Sequence, residues 1–175
     1  MSLLRNYIPN PMCVDMANYL SSHGGVTNCT IVNVTSDYQP PSLYPGFGVE
    51  TAADGDAWCA MTIPDAPRET PLVIAANMTP GDDQTSGPAL FDQWMQVWGG
   101  DSTNWSVRGS LSKTGVSGEF TIPAGGQTPQ IVFRSPAKAG QRIYIWNIYL
   151  GTKADWEALQ GYAPGAPLAG SLMPL

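Results

Sequence analysis

The side chains best suited to chemistry lie in one short stretch, LFDQWMQVW at residues 90–98. Side chains of a strand point alternately to its two faces, so one face here would be apolar. The other face would carry two tryptophans among hydrogen-bonding groups: Asp92, Trp94, Gln96 and Trp98. An indole can stack on the apolar C–H face of a sugar ring, while amides and carboxylates bind its hydroxyls. Trp94 and Trp98 would lie about 13 Å apart at ~3.3 Å per residue, enough to contact two sugar units of one chain.

Further aromatic residues extend this candidate surface. Trp58 and Thr62 share one face of a second candidate strand, and Trp105 begins a third. Three interpretations fit: a protein interface, a sugar-binding face, or tryptophans covered by their own chain through the helix near Trp156 or the segment 40–48. We favour the interface, because charged residues make up only 13 % of the chain and interface cores are depleted in charge and rich in aromatic residues.

Catalytic and metal-binding patterns are missing from the sequence. The one histidine, His23, lies in the loop SSHGG, and neither a G-x-S-x-G nor an H-E-x-x-H motif occurs. A glycosidase needs two carboxylates across a cleft, but most acidic residues lie in turns, which leaves Asp92 and Glu119 as strand carboxylates to inspect. The cysteines have no metal-ligand spacing, and Cys59 alternates with apolar residues as a core residue does. We therefore expect neither enzymatic activity, nor a cofactor, nor a metal.

Size and charge limit the partners. The chain has 175 residues, enough for one domain with a real core, and a net charge of −6. Without a cluster of Lys or Arg, nucleic-acid binding is not expected, and an anionic membrane surface would repel the chain. No apolar run approaches the ~20 residues of a membrane span. The opening MSLLRNYIPNP does not read as a signal peptide, so we expect synthesis in the cytoplasm.

Short strand signals separated by Gly, Pro and Asp turns recur along the chain. The predicted strands are 26–35, 57–63, 71–78, 90–98, 104–110, 118–122, 129–134 and 142–150. Several have one apolar face, as expected for an antiparallel β-sandwich or barrel. In the last strand the apolar phase shifts at Trp146–Asn147, which fits either a β-bulge or a strand buried on both faces. One helix is predicted, 152–161, with Thr152 as N-cap and Gly161 at the C′ position.

The two ends of the chain resemble a known family. The opening RNYIPNP, and the sequence IYIWNIYLG followed by KADWEALQGYAPG, are similar to the ends of bacteriophage virion proteins that have a carbohydrate-binding-module-like jelly roll. The resemblance implies a fold of jelly-roll type. Chain length and composition predict one such domain over 1–162, with an N-terminal arm or first strand at 1–15, and an extended tail at 163–175, which has no apolar period and three prolines. The family's structural calcium is not expected here, because residues 11–15 lack its Glu and Trp146 replaces its Asp.

The sequence and the resemblance together predict a structural, non-enzymatic component of a phage particle. A minor tail or tail-tip protein is the first expectation; a capsid decoration protein or a free carbohydrate-binding module or lectin is the alternative. Its partners would be other virion proteins, tail or capsid subunits, and it would be a homo-oligomer or be present in many copies in the assembly. Host glycans are a further candidate ligand, because weak sugar contacts add up when many copies act together.

Overall fold

The computed structural model describes residues 5–34, 46–81, 95–99, 105–107 and 115–162, and two helices and ten strands lie within these ranges. The helices are α1 (Met16–His23) and α2 (Lys153–Tyr162). The first five strands are β1 (Gly24–Thr27), β2 (Cys29–Val34), β3 (Gly46–Thr51), β4 (Ala57–Thr62) and β5 (Pro71–Pro80). The other five are β6 (Met95–Trp98), β7 (Trp105–Val107), β8 (Gly115–Thr121), β9 (Gln130–Ser135) and β10 (Arg142–Thr152).

The strands form two five-stranded antiparallel sheets that pack face to face. Sheet I has the order β1-β4-β9-β6-β7, and sheet II has the order β2-β3-β10-β5-β8. Strands that follow each other in the chain often lie in different sheets, so each sheet is built from distant parts of the sequence. The predicted all-β antiparallel sandwich of jelly-roll type is thus confirmed.

Alternating side chains of both sheets build the core. Cys59 and Met61 of β4 and Met95 and Val97 of β6 point inward and are fully buried, as the alternation predicted. Across the sandwich, Phe133 of sheet I and Phe47 of sheet II meet edge to face, with ring centroids 5.5 Å apart. Replacing either ring with alanine would cost about 3–5 kcal/mol, since it would open a cavity between the sheets.

Strand β10 contains the β-bulge that the phase shift suggested. Its register against β5 changes between Trp146 and Tyr149, and Asn147 has a left-handed φ of 53°. Because of the extra residue, the aliphatic side chains before and after the bulge point to the same face of the sheet. All four therefore reach the core: Ile143, Ile145, Ile148 and Leu150. The outward aromatic residues of β10 are largely buried as well, but the alternative of a fully buried strand that needs no bulge is wrong, because the register shifts.

The N-terminal segment is attached to this bulge by one side chain. Asn6 donates from Nδ2 to the Ile148 carbonyl at 3.1 Å and accepts at Oδ1 from the N–H groups of Ile8 and Leu150. The N–H of Tyr7 also donates to the Leu150 carbonyl at 2.7 Å. Asn6, the first asparagine of the NYIPNP opening, therefore has a structural role: it fixes the segment to the irregular part of β10.

The helices differ in part from the prediction. In α2, Thr152 Oγ1 accepts the Asp155 N–H at 3.1 Å, as expected of an N-cap, but the helix continues through Gly161 to Tyr162. The expectation of a single helix is wrong, because α1 also forms. Its Met16 and Leu20, four residues apart, lie on one face and are fully buried against the sheets.

Two predicted segments also differ. The predicted strand 26–35 is two strands in different sheets, because Asn28, with φ 49°, turns the chain from β1 into β2. In the predicted turn 40–48, residues 46–48 belong to β3, and 40–45 lie outside the described residues. Of the proposed N-terminal arm or first strand, the described part, 5–15, contains no strand, and the tail 163–175 is not described.

In the ranges given above, no helix has the length and apolar character to cross a membrane.

Candidate functional site

The outer face of sheet I brings together three of the six predicted surface residues. Gln96 and Trp98 project from β6, opposite in phase to the buried Met95 and Val97, and Trp58 projects from β4. Trp94 and Asp92 lie outside the described residues, and Trp105 is placed in β7 by its backbone, without a described side chain. The described part of the candidate surface is therefore centred on Trp58, Gln96 and Trp98.

The strand registers place three rows of outward side chains on this face. In the first row, Trp58 is paired with Arg134. In the middle row, Val132 lies between Ala60 and Gln96. In the third row, Gln130 lies between Thr62 and Trp98. The tryptophans thus stand on strands separated by β9, in the two outer rows. From strand geometry their Cα atoms are about 10 Å apart across the sheet and about 13 Å apart along it.

Trp58 and Trp98 nevertheless touch. Their ring centroids are 5.2 Å apart, with an interplanar angle of 63°. Both indoles must therefore lean inward over the middle row, which explains why Ala60 and Val132 are 1 % and 0 % exposed although they point away from the core. The rings themselves stay partly exposed. We call them the tryptophan pair.

Small residues of β1 make room for the pair and its strand. A Cβ at Gly25 would lie 3.4 Å from the ring of Trp58, and one at Gly24 would lie 1.8 Å from the Ala60 carbonyl oxygen. Gly24 is therefore required where β1 approaches β4, because a side chain there would collide with backbone.

A chain of polar contacts runs beside the tryptophan pair. Trp98 Nε1 donates to Gln96 Oε1 at 3.2 Å, and Arg134 Nε donates to the same oxygen at 3.0 Å. Arg134 Nη1 in turn donates to Asp56 in an ion pair. Because Oε1 accepts both bonds, the orientation of the Gln96 amide is fixed, and Gln96 is only 4 % exposed. The pair is therefore linked by hydrogen bonds to a guanidinium and a carboxylate.

Arg134 and Asp56 were not among the predicted site residues. A signal for Arg134 was present, since Gln130, Val132 and Arg134 alternate with the core residues of QIVFRS and so share the outward face of their strand. Asp56 precedes β4 in the loop ADGD, and its sequence context predicts no more than one of the many acidic turn residues. Its contact with Arg134 joins residues 78 positions apart and depends on the β4–β9 pairing, which the sequence does not display.

The loop that carries Asp56 is held by Asn28. Asn28 Nδ2 donates to the carbonyls of Ala53 and Asp56 at 2.8 and 3.2 Å, and its Oδ1 accepts the Ala53 N–H at 3.1 Å. In the same loop, Asp54 accepts from the Ala139 N–H and pairs with Lys138, and these two contacts lower the pKa of Asp54. The loop is thus fixed at both of its aspartates.

The other residues considered for chemistry have structural surroundings. Glu119 projects from sheet II and pairs with Lys153 of α2 at 2.7 Å. His23 stacks on Tyr19, with centroids 4.8 Å apart, and its Nδ1 lies 3.3 Å from the Tyr19 carbonyl. Within the described ranges no group of three or more His, Cys, Asp or Glu side chains could hold a metal.

The proposed intramolecular covers do not lie on this surface as far as they are described. Helix α2 packs on the opposite side of the sandwich, where Trp156 contacts Tyr149 at 5.4 Å between centroids and Leu159 joins the same cluster. Residues 46–48 of the other proposed cover pair within sheet II. For Trp98, the expectation that the helix near Trp156 covers it is wrong, because sheet I and α2 are separated by sheet II.

Comparisons with solved structures find this fold in several proteins. The chain resembles the enzymatically active domain of tailspike protein 4 of bacteriophage CBA120, at a TM-score of 0.54 and 15 % identity over 84 % of this chain and 21 % of that one. It therefore spans about a fifth of that structure's length. It also resembles TmCBM61, solved in complex with β-1,4-galactotriose, at a TM-score of 0.51 and 16 % identity, covering 85 % of this chain and 99 % of that one.

A tandem of two CBM22 domains from Paenibacillus barcinonensis Xyn10C is a third neighbour. The TM-score is 0.53 at 6 % identity, over 87 % of this chain and 47 % of that one. Neither the models of known protein families nor the curated proteins give a match to the sequence. At these identities the likeness concerns the fold: the chain has a carbohydrate-binding-module-like antiparallel β-sandwich.

Proposed function

We propose that this protein is a non-catalytic carbohydrate-binding domain and that the tryptophan pair on sheet I is its glycan contact. The observation that carries the proposal is the pair itself: two partly exposed indoles in contact at 5.2 Å, beside a fixed amide and guanidinium. Indoles supply the apolar surface on which a sugar ring stacks. Binding sites also commonly combine such a surface with a few well-placed polar groups.

The comparisons support this proposal through the fold alone. The neighbours of TM-score 0.5 or more include carbohydrate-binding modules, one of them solved with a bound galactotriose. Function does not follow from fold, so the weight rests on the site residues. The protein-interface interpretation of the same aromatic surface stays a competing prediction, because interface hot spots are also rich in tryptophan and arginine.

The test is binding of the purified chain to a glycan array, followed by titration of the strongest ligand. Trp58→Ala and Trp98→Ala should each weaken binding at least tenfold, since each removes one of the two stacking surfaces. Trp156→Ala is the matched control: it removes a partly exposed tryptophan from the opposite side of the sandwich and should leave the affinity within twofold. Absence of glycan binding, or equal loss in all three variants, would contradict the proposal.

A structural role in a phage particle is the second candidate, favoured by the fold shared with the CBA120 tailspike domain. In that role the chain would be a minor tail or tail-tip protein, with capsid decoration as the alternative, and its neighbours would be other virion proteins. Mass spectrometry and labelled imaging of purified particles test this directly. Absence of the protein from the particles would exclude the role and leave the carbohydrate-binding proposal intact.

A further inference from the structure

We infer, building on the proposed function, that the tryptophan pair takes one neutral sugar unit, and that Asp56 excludes acidic sugars by neutralising Arg134. Two separate features carry this inference. The geometry of the two rings limits how many sugar units they can contact. The charges beside the rings determine which sugars can approach them.

The geometry of Trp58 and Trp98 excludes a straight run of sugars stacked on these two rings. Two indoles stack on successive units of an extended chain only if they are separated along it and nearly coplanar. Here the centroids are 5.2 Å apart and the planes meet at 63°, so the rings touch each other edge to face. The contact occupies part of one ring face, and no sugar fits between the rings. The remaining surface is a corner: one sugar unit can stack on one ring while its edge meets the other.

The charges disfavour an acidic ligand. Among the outward positions of sheet I that the structure describes, Arg134 is the one charged side chain, and Asp56 pairs with it. A carboxylate or sulfate on the sugar would have to displace Asp56 or lie next to it. The protein as a whole carries a net charge of −6, which repels anionic glycans at long range. A neutral glycan meets neither obstacle.

A series of oligosaccharides of increasing length tests whether the tryptophan pair contacts a single sugar unit. The probe is the neutral oligosaccharide that gives the strongest array signal, prepared from one to six units and titrated by calorimetry. The affinity should reach its plateau by the disaccharide, with less than a threefold further gain up to the hexasaccharide. A gain of tenfold or more between two and six units would overturn the single-unit corner, because it would require an extended binding face.

Removing the negative charge of Asp56, and comparing neutral with acidic ligands, tests its role. The probes are the same oligosaccharide and its counterpart oxidised at C6 to the uronic acid. Asp56→Asn should raise the ratio of acidic to neutral affinity at least fivefold, because it frees the Arg134 guanidinium. Asp54→Asn is the matched control: Asp54 lies in the same loop and its side chain is as exposed, at 65 %, but it pairs with Lys138 and not with Arg134. That variant should leave the ratio unchanged.

The outcomes separate this inference from the function on which it rests. Equal increases in both aspartate variants would show a general charge effect and overturn the role assigned to Asp56. A wild-type protein that binds only the acidic series would overturn the neutral assignment while supporting carbohydrate binding. Absence of binding to every glycan would remove the proposed function and the inference together.

Discussion

Asparagine side chains hold much of the irregular backbone of this protein. Asn6 bonds to the bulged part of β10, Asn28 holds the loop 52–56, and Asn10 accepts the N–H of Val14 and donates to its carbonyl. An amide both donates and accepts, so one side chain satisfies several backbone groups that no strand partner reaches. The motif NYIPNP therefore has a physical basis: both of its asparagines are structural.

Asn6→Ala should lower the free energy of unfolding by about 1–3 kcal/mol, because it leaves the Leu150 N–H and the Ile148 carbonyl without their side-chain partner. Chemical denaturation at neutral pH measures the change. The control is Asn18→Ala: among the described residues its exposed amide bonds to the Asp15 side chain, and its loss should cost less than about 0.5 kcal/mol. Equal effects in the two variants would contradict the assigned role of Asn6.

The stability contributed by Asp54 should depend on pH. Its pKa is lowered from 3.8 by the Ala139 N–H first and then by Lys138, so the carboxylate form is favoured in the folded state. The contribution is full above the unfolded value of 3.8 and is lost as the pH falls through the lower, folded value. Asp54→Asn should therefore be less stable than wild type at pH 6, and the difference should shrink as the pH falls below 4. Thermal unfolding of wild type and variant across pH 2–6 measures this difference in stability.

At the scale of elements, β10 carries the most demanding requirement. It lies between β3 and β5 in sheet II, and its aliphatic side chains reach the core on both sides of the bulge only because Asn147 adds one residue. A one-residue slip in a strand moves every later side chain to the opposite face. The left-handed backbone at Asn147 is therefore needed for the core, and asparagine tolerates it better than most residues do.

Asn147→Gly should leave the stability within about 0.5 kcal/mol of wild type, because glycine adopts a φ of 53° freely. Asn147→Val should cost roughly 1–3 kcal/mol, since a β-branched side chain strains that conformation. Denaturant midpoints of the two variants give the comparison. If the valine variant were as stable as the glycine variant, the left-handed backbone at position 147 would not determine which residues the bulge accepts.

Local patterns predicted the elements better than the pairings between them. Alternation and turn residues predicted β4, β5 and β9 closely, because each has an alternating apolar face and a clear stop, and β10 was predicted from its long apolar run between turns. Helix α1 was missed, since only Met16 and Leu20 mark its buried face. Strand β3 was missed because the glycines of GFGVET weaken the strand pattern, although Gly48 lies in close contact with a neighbouring strand: a Cβ there would lie 3.1 Å from the ring of Tyr144.

At the scale of the whole molecule, the sequence predicted the sandwich but only part of the site. Many short alternating strands with little charge suffice to predict two packed sheets. The outward direction of Gln96 and Trp98 followed from alternation, whereas the contact between Trp58 and Trp98 depends on β9 pairing with both of their strands. Such pairings join distant parts of the chain, so neither the tryptophan pair nor the link from Arg134 to Asp56 could be predicted from local patterns.

The three free cysteines report whether the two sheets open together. Cys59 lies fully buried between the sheets, where desolvation raises its thiol pKa well above 9.0, and burial raises that of Cys13 to about 12. Cys29 is half-buried at the start of β2 and donates to the Trp58 carbonyl at 3.2 Å. Alkylation requires the exposed thiolate, so at neutral pH the reaction of buried thiols reports opening of the fold.

Iodoacetamide should therefore label Cys29 first, and Cys13 and Cys59 together and much more slowly. Rates read by mass spectrometry over a series of subdenaturing urea concentrations should rise with one common slope for Cys13 and Cys59, because both belong to the same core cluster. A shallower slope for Cys13 would mean that the segment around α1 detaches on its own. The core would then consist of two units that unfold separately.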